Sequence, residues 1–141
     1  MPVLFVGAAT KARAAPKRNT EPSIAGVPQD PPFFTAVPAG GEVYLLKKVL
    51  HDWDDAQARV ILGRCREAMP GTRRLLVLEM VLPDGNEPAE AQWLDLLMLV
   101  YTGGRERSVA EHRALLAAAG FAPGRFVPTA SGVSILEALP C

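Results

Sequence analysis

The 141-residue sequence predicts an α/β fold with a parallel sheet and an antiparallel close. Two continuous apolar runs, Val43–Leu50 and Leu75–Leu82, are each followed by a helical pattern. Strands of this kind suit a parallel sheet covered on both faces. At the end of the chain, Arg125–Val127 and Val133–Glu137 flank a short turn at Ser131-Gly132, the pattern of an antiparallel hairpin.

The elements follow in order. Residues 1–32 differ from the rest: Lys11, Arg13, Lys17 and Arg18 stand before the first acid, and seven of the 13 prolines fall in the first forty residues. Val3–Val6 has the content of a short strand, and basic residues follow it instead of preceding it, which argues against a signal peptide. Lys11 to Pro32 shows no period of 2 or 3.6 and reads as irregular. Order begins at Phe33, so the chain divides into residues 1–32 and an ordered 33–141. After the first apolar run, His51-Asp52-Trp53-Asp54-Asp55 leads into a helix, with Asp52 or Asp54 as its cap. In that helix Ala58, Ile61, Leu62, Cys65 and Met69 share a face, and Pro70-Gly71 ends it. Pro88 suits the first position of a second helix running through Trp93 to Val100. Ser108 and Glu111 form a capping box for a third, and Gly120 caps its other end.

Lys+Arg is 15 and Asp+Glu is 15, so there is no electrostatic footprint for nucleic acid or an anionic membrane. No run approaches the roughly 18 apolar residues of a membrane span. Cys65 and Cys141 lack metal or redox spacing and read as free thiols in a reducing, cytoplasmic compartment. No glycine-rich phosphate loop stands in the sequence. Trp53 and Trp93 read as core residues.

Three side chains stand out for chemistry. His51 sits where a buried strand ends, the edge at which open α/β sheets bind ligands; a polar loop residue or helix cap fits the same position. Glu79 is a carboxylate inside an apolar run, which demands either a partner or an exposed strand end. Glu106 lies in a loop before a helix, as a solvated charge paired with Arg105 or Arg107, or as a group that steers His51. A histidine and two carboxylates near strand ends have the composition of a base held by acids. Asp52, Asp54 and Asp55 read as an acidic helix start, with no metal site.

Leu46–Asp55, Leu78–Pro83, Asp95–Leu99 and Gly103–Ser108 together resemble the ordered motifs of S-adenosylmethionine-dependent O-methyltransferases. The branch is that of the caffeic-acid-type enzymes and their bacterial relatives acting on small aromatic molecules. The resemblance covers about Phe33 to Pro140, and it implies the C-terminal half of a class I, Rossmann-like methyltransferase sheet. It places His51 at the general base and Glu79 and Glu106 at the carboxylates that position it. It places Lys47 and Trp53 at the cofactor, and Leu97 and Met98 at an aromatic acceptor, with no metal. A pocket asparagine of the family has no counterpart; Tyr101 and Thr102 stand there. The glycine-rich loop, the ribose carboxylate and the helical dimerisation domain of the family have no counterpart either, and Pro31-Pro32 replace its Gly-Asp.

From these departures the activity of this chain is expected to be weak or lost. The alternatives are a non-catalytic remnant retained as a binding or assembly partner, and a frame-shifted N-terminal segment. With its family neighbour missing, strand 43–50 is expected to form an exposed edge open to self-association, for which Val3–Val6 would be a cover of only four residues.

Overall fold

A computed structural model describes the backbone of Val3–Val6 and residues 32–141. The remainder of the segment expected to be irregular lies outside the described residues. Six strands, β1 (Val3–Val6), β2 (Val43–Lys47), β3 (Arg74–Leu82), β4 (Arg107–Ser108), β5 (Phe121–Pro128) and β6 (Val133–Pro140), alternate with three helices, α1 (Asp55–Ala68), α2 (Glu90–Tyr101) and α3 (Val109–Ala118). The sheet runs β1-β2-β3-β6-β5, with β4 beside the end of β3. β1, β2 and β3 are parallel, whereas β6 returns antiparallel to β3 and β5 to β6. This is the α/β architecture with a terminal hairpin that the patterning predicts.

Strand alternation separates two faces. Tyr44, Leu46, Leu75, Val77, Leu136 and Ala138 lie on the buried face and join Ile61, Leu62 and Cys65 of α1 and Leu115 and Leu116 of α3 in one core. The opposite face carries Leu45, Leu76, Leu78 and Ile135, which are only half-buried. A sheet buried on both faces is therefore not what forms: the residues described cover one face fully and the other in part.

The expected open edge is corrected. β1 pairs in parallel with β2 from Val3↔Val43 to Val6↔Leu46, so β2 has a neighbour on each side and β1 takes the edge. The apolar run is also not one strand to Leu50. It leaves the sheet at Lys48, whose φ of 51° is left-handed, and turns into a short 3-10 helix at Leu50–Asp52. Such a backbone costs a non-glycine residue roughly 1–2 kcal/mol.

Local signals act as expected at the starts of α1 and α3, whereas Pro88, expected at the first position of α2, precedes the cap residue Ala89 and the helix begins at Glu90. Asp54 accepts from the Gln57 N–H at 2.8 Å to cap α1, and Ser108 and Glu111 exchange the two bonds of a capping box on α3. The expectation that Trp93 is core fails: it is 77% exposed, with Leu96, Leu97, Leu99, Val100 and Tyr101 of α2 beside it, because only Ala91 of that helix is buried. Cys65 is buried and Cys141 exposed, both as free thiols. Among the described residues no helix is long and apolar enough to cross a membrane.

Candidate active site

The left-handed turn at Lys48 decides where the site is built. It aims the next two backbone N–H groups, of Val49 and Leu50, at the side chain of Glu79 on the neighbouring strand. Both donate to Glu79 Oε1, at 3.0 and 2.8 Å. Glu79 is fully buried in β3, so the two amides satisfy one carboxylate oxygen that would otherwise be costly to desolvate. The carboxylate's other oxygen, Oε2, has no hydrogen-bond partner among the described residues and stands 3.6 Å from His51 Nδ1. Of the two readings that the sequence left open for Glu79, the exposed strand end is excluded and the partnered carboxylate stands.

His51 lies in the 3-10 turn that follows, 8% exposed. Its Nδ1 meets Glu106 Oε1 at 2.8 Å. An ionised carboxylate can only accept, so Nδ1 carries a proton, and in the neutral ring Nε2 is the nitrogen with the lone pair. Asp52 Oδ1 stands 3.6 Å from Nε2. Glu106 is buried, and its backbone N–H donates to Asp95 on α2 at 2.8 Å. The expected surface pairing of Glu106 with Arg105 or Arg107 does not form: Arg105 pairs with Glu111 and Arg107 with Asp55.

The electrostatics follow from this packing. Burial by itself lowers the His51 pKa, but the hydrogen bond to Glu106 and the charges of Glu79, Glu106 and Asp52 outweigh it, and the pKa is raised above 6.5. Burial pushes Glu79 up to about 7, against the pull of His51 and the two backbone amides.

The other predicted positions lie elsewhere. Lys47 is exposed at the end of β2, on the sheet face opposite Glu79 by strand alternation. Trp53 is buried, edge-on to Phe33 and Phe34 with ring centroids 6.3 and 4.6 Å away. Leu97 is 45% exposed and Met98 half-buried on α2. The structure thus brings His51, Glu79 and Glu106 together and leaves Lys47, Trp53, Leu97 and Met98 outside that hydrogen-bonded group. The three also bring one nitrogen and two oxygen donors within 4.8 Å. The Nδ1–Oε1 separation is that of a hydrogen bond, shorter than the roughly 3.3 Å between two donors of a tetrahedral zinc ion.

Sequence reasoning missed Arg107. It is 1% exposed and donates to the Leu50 and Trp53 carbonyls, each at 2.9 Å, as well as to the Asp55 carboxylate. In sequence it is one of three charges in a polar loop, and nothing in that context marks it as buried.

Comparison with known proteins places the chain in a family. The O-methyltransferase domain matches residues 6–122. Phenazine O-methyltransferase PhzM of Lysobacter antibioticus is 55% identical over 108 residues, covering 77% of this chain and 32% of that protein. The solved O-methyltransferase NcsB1 of neocarzinostatin biosynthesis, in complex with S-adenosylmethionine and 2-hydroxy-5-methyl naphthoic acid, superposes with a TM-score of 0.69 at 44% identity, covering 77% of this chain and 31% of that one. CalO1, a methyltransferase of calicheamicin biosynthesis, superposes at 0.74 and 37% identity over 99% of this chain and 41% of that one. The chain spans about a third of the length of the curated relatives it matches. With the domain matched over residues 6–122 and relatives such as PhzM 55% identical over 77% of it, the chain belongs to the O-methyltransferase domain family.

Proposed function

We propose that this chain supplies the acceptor-deprotonating half of an S-adenosylmethionine-dependent O-methyltransferase acting on a hydroxyl of an aromatic small molecule. The observation that carries the reading is the 2.8 Å bond from His51 Nδ1 to Glu106, with Glu79 behind it. His51 Nε2 takes the proton of the acceptor hydroxyl. A phenol has a pKa of about 10 and an ordinary imidazole about 6.5, so the proton leaves as the oxygen attacks and not before. The imidazolium that results is stabilised by Glu106 and Glu79, which also hold the tautomer. Leu97 and Met98, on the partly exposed side of α2, offer apolar contact to the acceptor ring.

The cofactor supplies the methyl group, and the described residues do not fit it by themselves. The Trp53 indole is packed against Phe33 and Phe34 and is not open to stack on an adenosyl group. Lys47 is exposed, and a single surface ammonium is no cradle. This chain is therefore expected to bind S-adenosylmethionine weakly or not at all. A micromolar dissociation constant by calorimetry on the purified chain would overturn that expectation.

The test of the base uses a fusion in which the preceding two thirds of the Lysobacter relative lead into residues 33–141. There His51→Gln lowers turnover of a phenolic acceptor by about 10²–10⁴ and leaves cofactor affinity unchanged. Unchanged turnover would remove His51 from the role.

A further inference from the structure

The loop that carries Glu106 also grips the backbone on both sides of His51. Arg107 donates from Nη1 to the Leu50 carbonyl and from Nη2 to the Trp53 carbonyl, each at 2.9 Å. The Arg105 N–H donates to the carbonyl of His51 itself at 2.9 Å. Three of the four carbonyls from Leu50 to Trp53 are thereby held by residues 105 and 107. Arg107 is further fixed by two bonds to Asp55 in the first turn of α1.

Gly104 completes the grip for a different reason. A Cβ there would fall 2.0 Å from the His51 carbonyl oxygen, 2.5 Å from the Asp52 carbonyl carbon and 2.7 Å from the Trp53 nitrogen. These are backbone atoms, so no side chain can swing away to make room. The preceding Gly103 faces open space and instead has a φ of 71°. In this pair, Gly103 meets a demand of conformation and Gly104 one of space.

We propose that Gly104 and Arg107 are positioning residues for His51: the bare backbone of Gly104 lets the loop lie against the His51–Trp53 segment, and the Arg107 guanidinium locks it there, which sets the imidazole against Glu106 and Glu79. This rests on His51 being the base. Arg107 suits the task because a planar guanidinium can serve two carbonyls and a carboxylate at once, which a lysine ammonium cannot do in the same plane.

The test is made on the 141-residue chain and needs no activity. It holds two histidines, His51 and His112, so long-range 1H–15N spectra resolve two imidazoles, assigned with His51→Gln. The groups facing His51 are Glu106, Glu79 and Asp52. Arg107→Lys keeps the positive charge near His112, whose titration serves as the internal control. In folded Arg107→Lys and Gly104→Ala, His51 is expected to lose its Nδ1–H···carboxylate signal and to titrate back towards 6.5, with His112 unmoved in the lysine variant. A thermal transition establishes folding, and where Gly104→Ala does not fold, Arg107→Lys decides. In the unsubstituted chain the Arg105 amide should exchange slowly with solvent. An unchanged His51 signal in a folded variant, or an Arg105 amide exchanging at open-loop rates, overturns the proposal. Failure of the base reading would show instead as undiminished turnover of His51→Gln in the fusion.

Discussion

The two histidines of this chain are almost equally buried and chemically opposite. His51, 8% exposed, sits in a turn after β2 and faces three carboxylates, from its own turn, from β3 and from the loop before β4. His112, 1% exposed, lies in α3, and neither of its ring nitrogens has a hydrogen-bond partner among the described residues. The carboxylates raise the His51 pKa, whereas burial, helped by the Arg107 charge, lowers that of His112 to about 4. Burial alone disfavours the charged imidazole; carboxylates around it favour the charged form and fix the Nδ1–H tautomer.

Four measurements sharpen or break this contrast. The largest effect is on turnover in the fusion enzyme. His51→Gln should cost about 10²–10⁴, while His112→Gln should leave turnover within roughly a factor of three, because only one of the two imidazoles has carboxylate support. Comparable losses in the two variants would dissolve the distinction.

Next is the stability of the chain itself. His51→Leu leaves Glu79 and Glu106 buried without their imidazole, and near pH 7.5 it should destabilise by about 3 kcal/mol in denaturant titration. A neutral result would mean that the carboxylates are satisfied without it.

The pH dependence of stability carries the contrast in its sign. His51 has a folded pKa above its unfolded value near 6.5, so its contribution is full below that value and is lost as pH rises through the folded pKa. Glu79, raised from 4.5 to about 7, acts in the same direction: its contribution is full below 4.5 and lost as pH rises through 7. His112 runs the other way: its contribution is full above 6.5 and lost as pH falls through about 4, a shift on the order of 3 kcal/mol. Thermal midpoints should therefore fall on both sides of a plateau near pH 5–6.5. Glu79→Gln should make the alkaline limb shallower and leave the His51 part of it, since the amide oxygen can still accept from Val49 and Leu50, and His112→Leu should flatten the acid limb. An alkaline limb as steep in Glu79→Gln as in the parent chain, or an acid limb that persists in His112→Leu, would contradict the assignment.

The smallest effect is at neutral pH. His112→Leu replaces a polar ring without partners by an apolar side chain, and should stabilise by about 1 kcal/mol, or roughly 3 °C in midpoint. A loss of stability would show that the imidazole has a partner after all.

Much of the fold was legible because its signals are local. Asp54 caps α1 and Ser108 with Glu111 caps α3 through bonds that span three residues, so neighbouring residue types suffice to predict them. The site was legible in its members but not in its geometry. His51, Glu79 and Glu106 drew notice as polar residues at the ends of apolar runs and through the family resemblance. Their partners come from positions 28 and 55 residues away, which no periodicity reports.

Other features had no signal at all. Arg107 looks in sequence like Arg105 beside it, yet one is 1% exposed and the other is paired with Glu111 at the surface. Trp93 has the composition of a core residue and is 77% exposed, since the pattern of α2 says which side is apolar and not whether anything covers it.

The sequence by itself determined the order of the three helices and the longer strands, the caps of α1 and α3, the closing hairpin, the absence of a charge imbalance and the family. Each of these depends on residues near one another or on motifs in register along the chain. Only the tertiary structure decided that β1 lies beside β2, that one sheet face is buried fully and the other in part, and that Lys48 turns the backbone so that Val49 and Leu50 donate to Glu79. It alone decided which histidine faces carboxylates and which carbonyls Arg107 holds. Hydrogen bonding and desolvation act on distance in space, and for residues far apart in sequence that distance exists only once the sheet has formed.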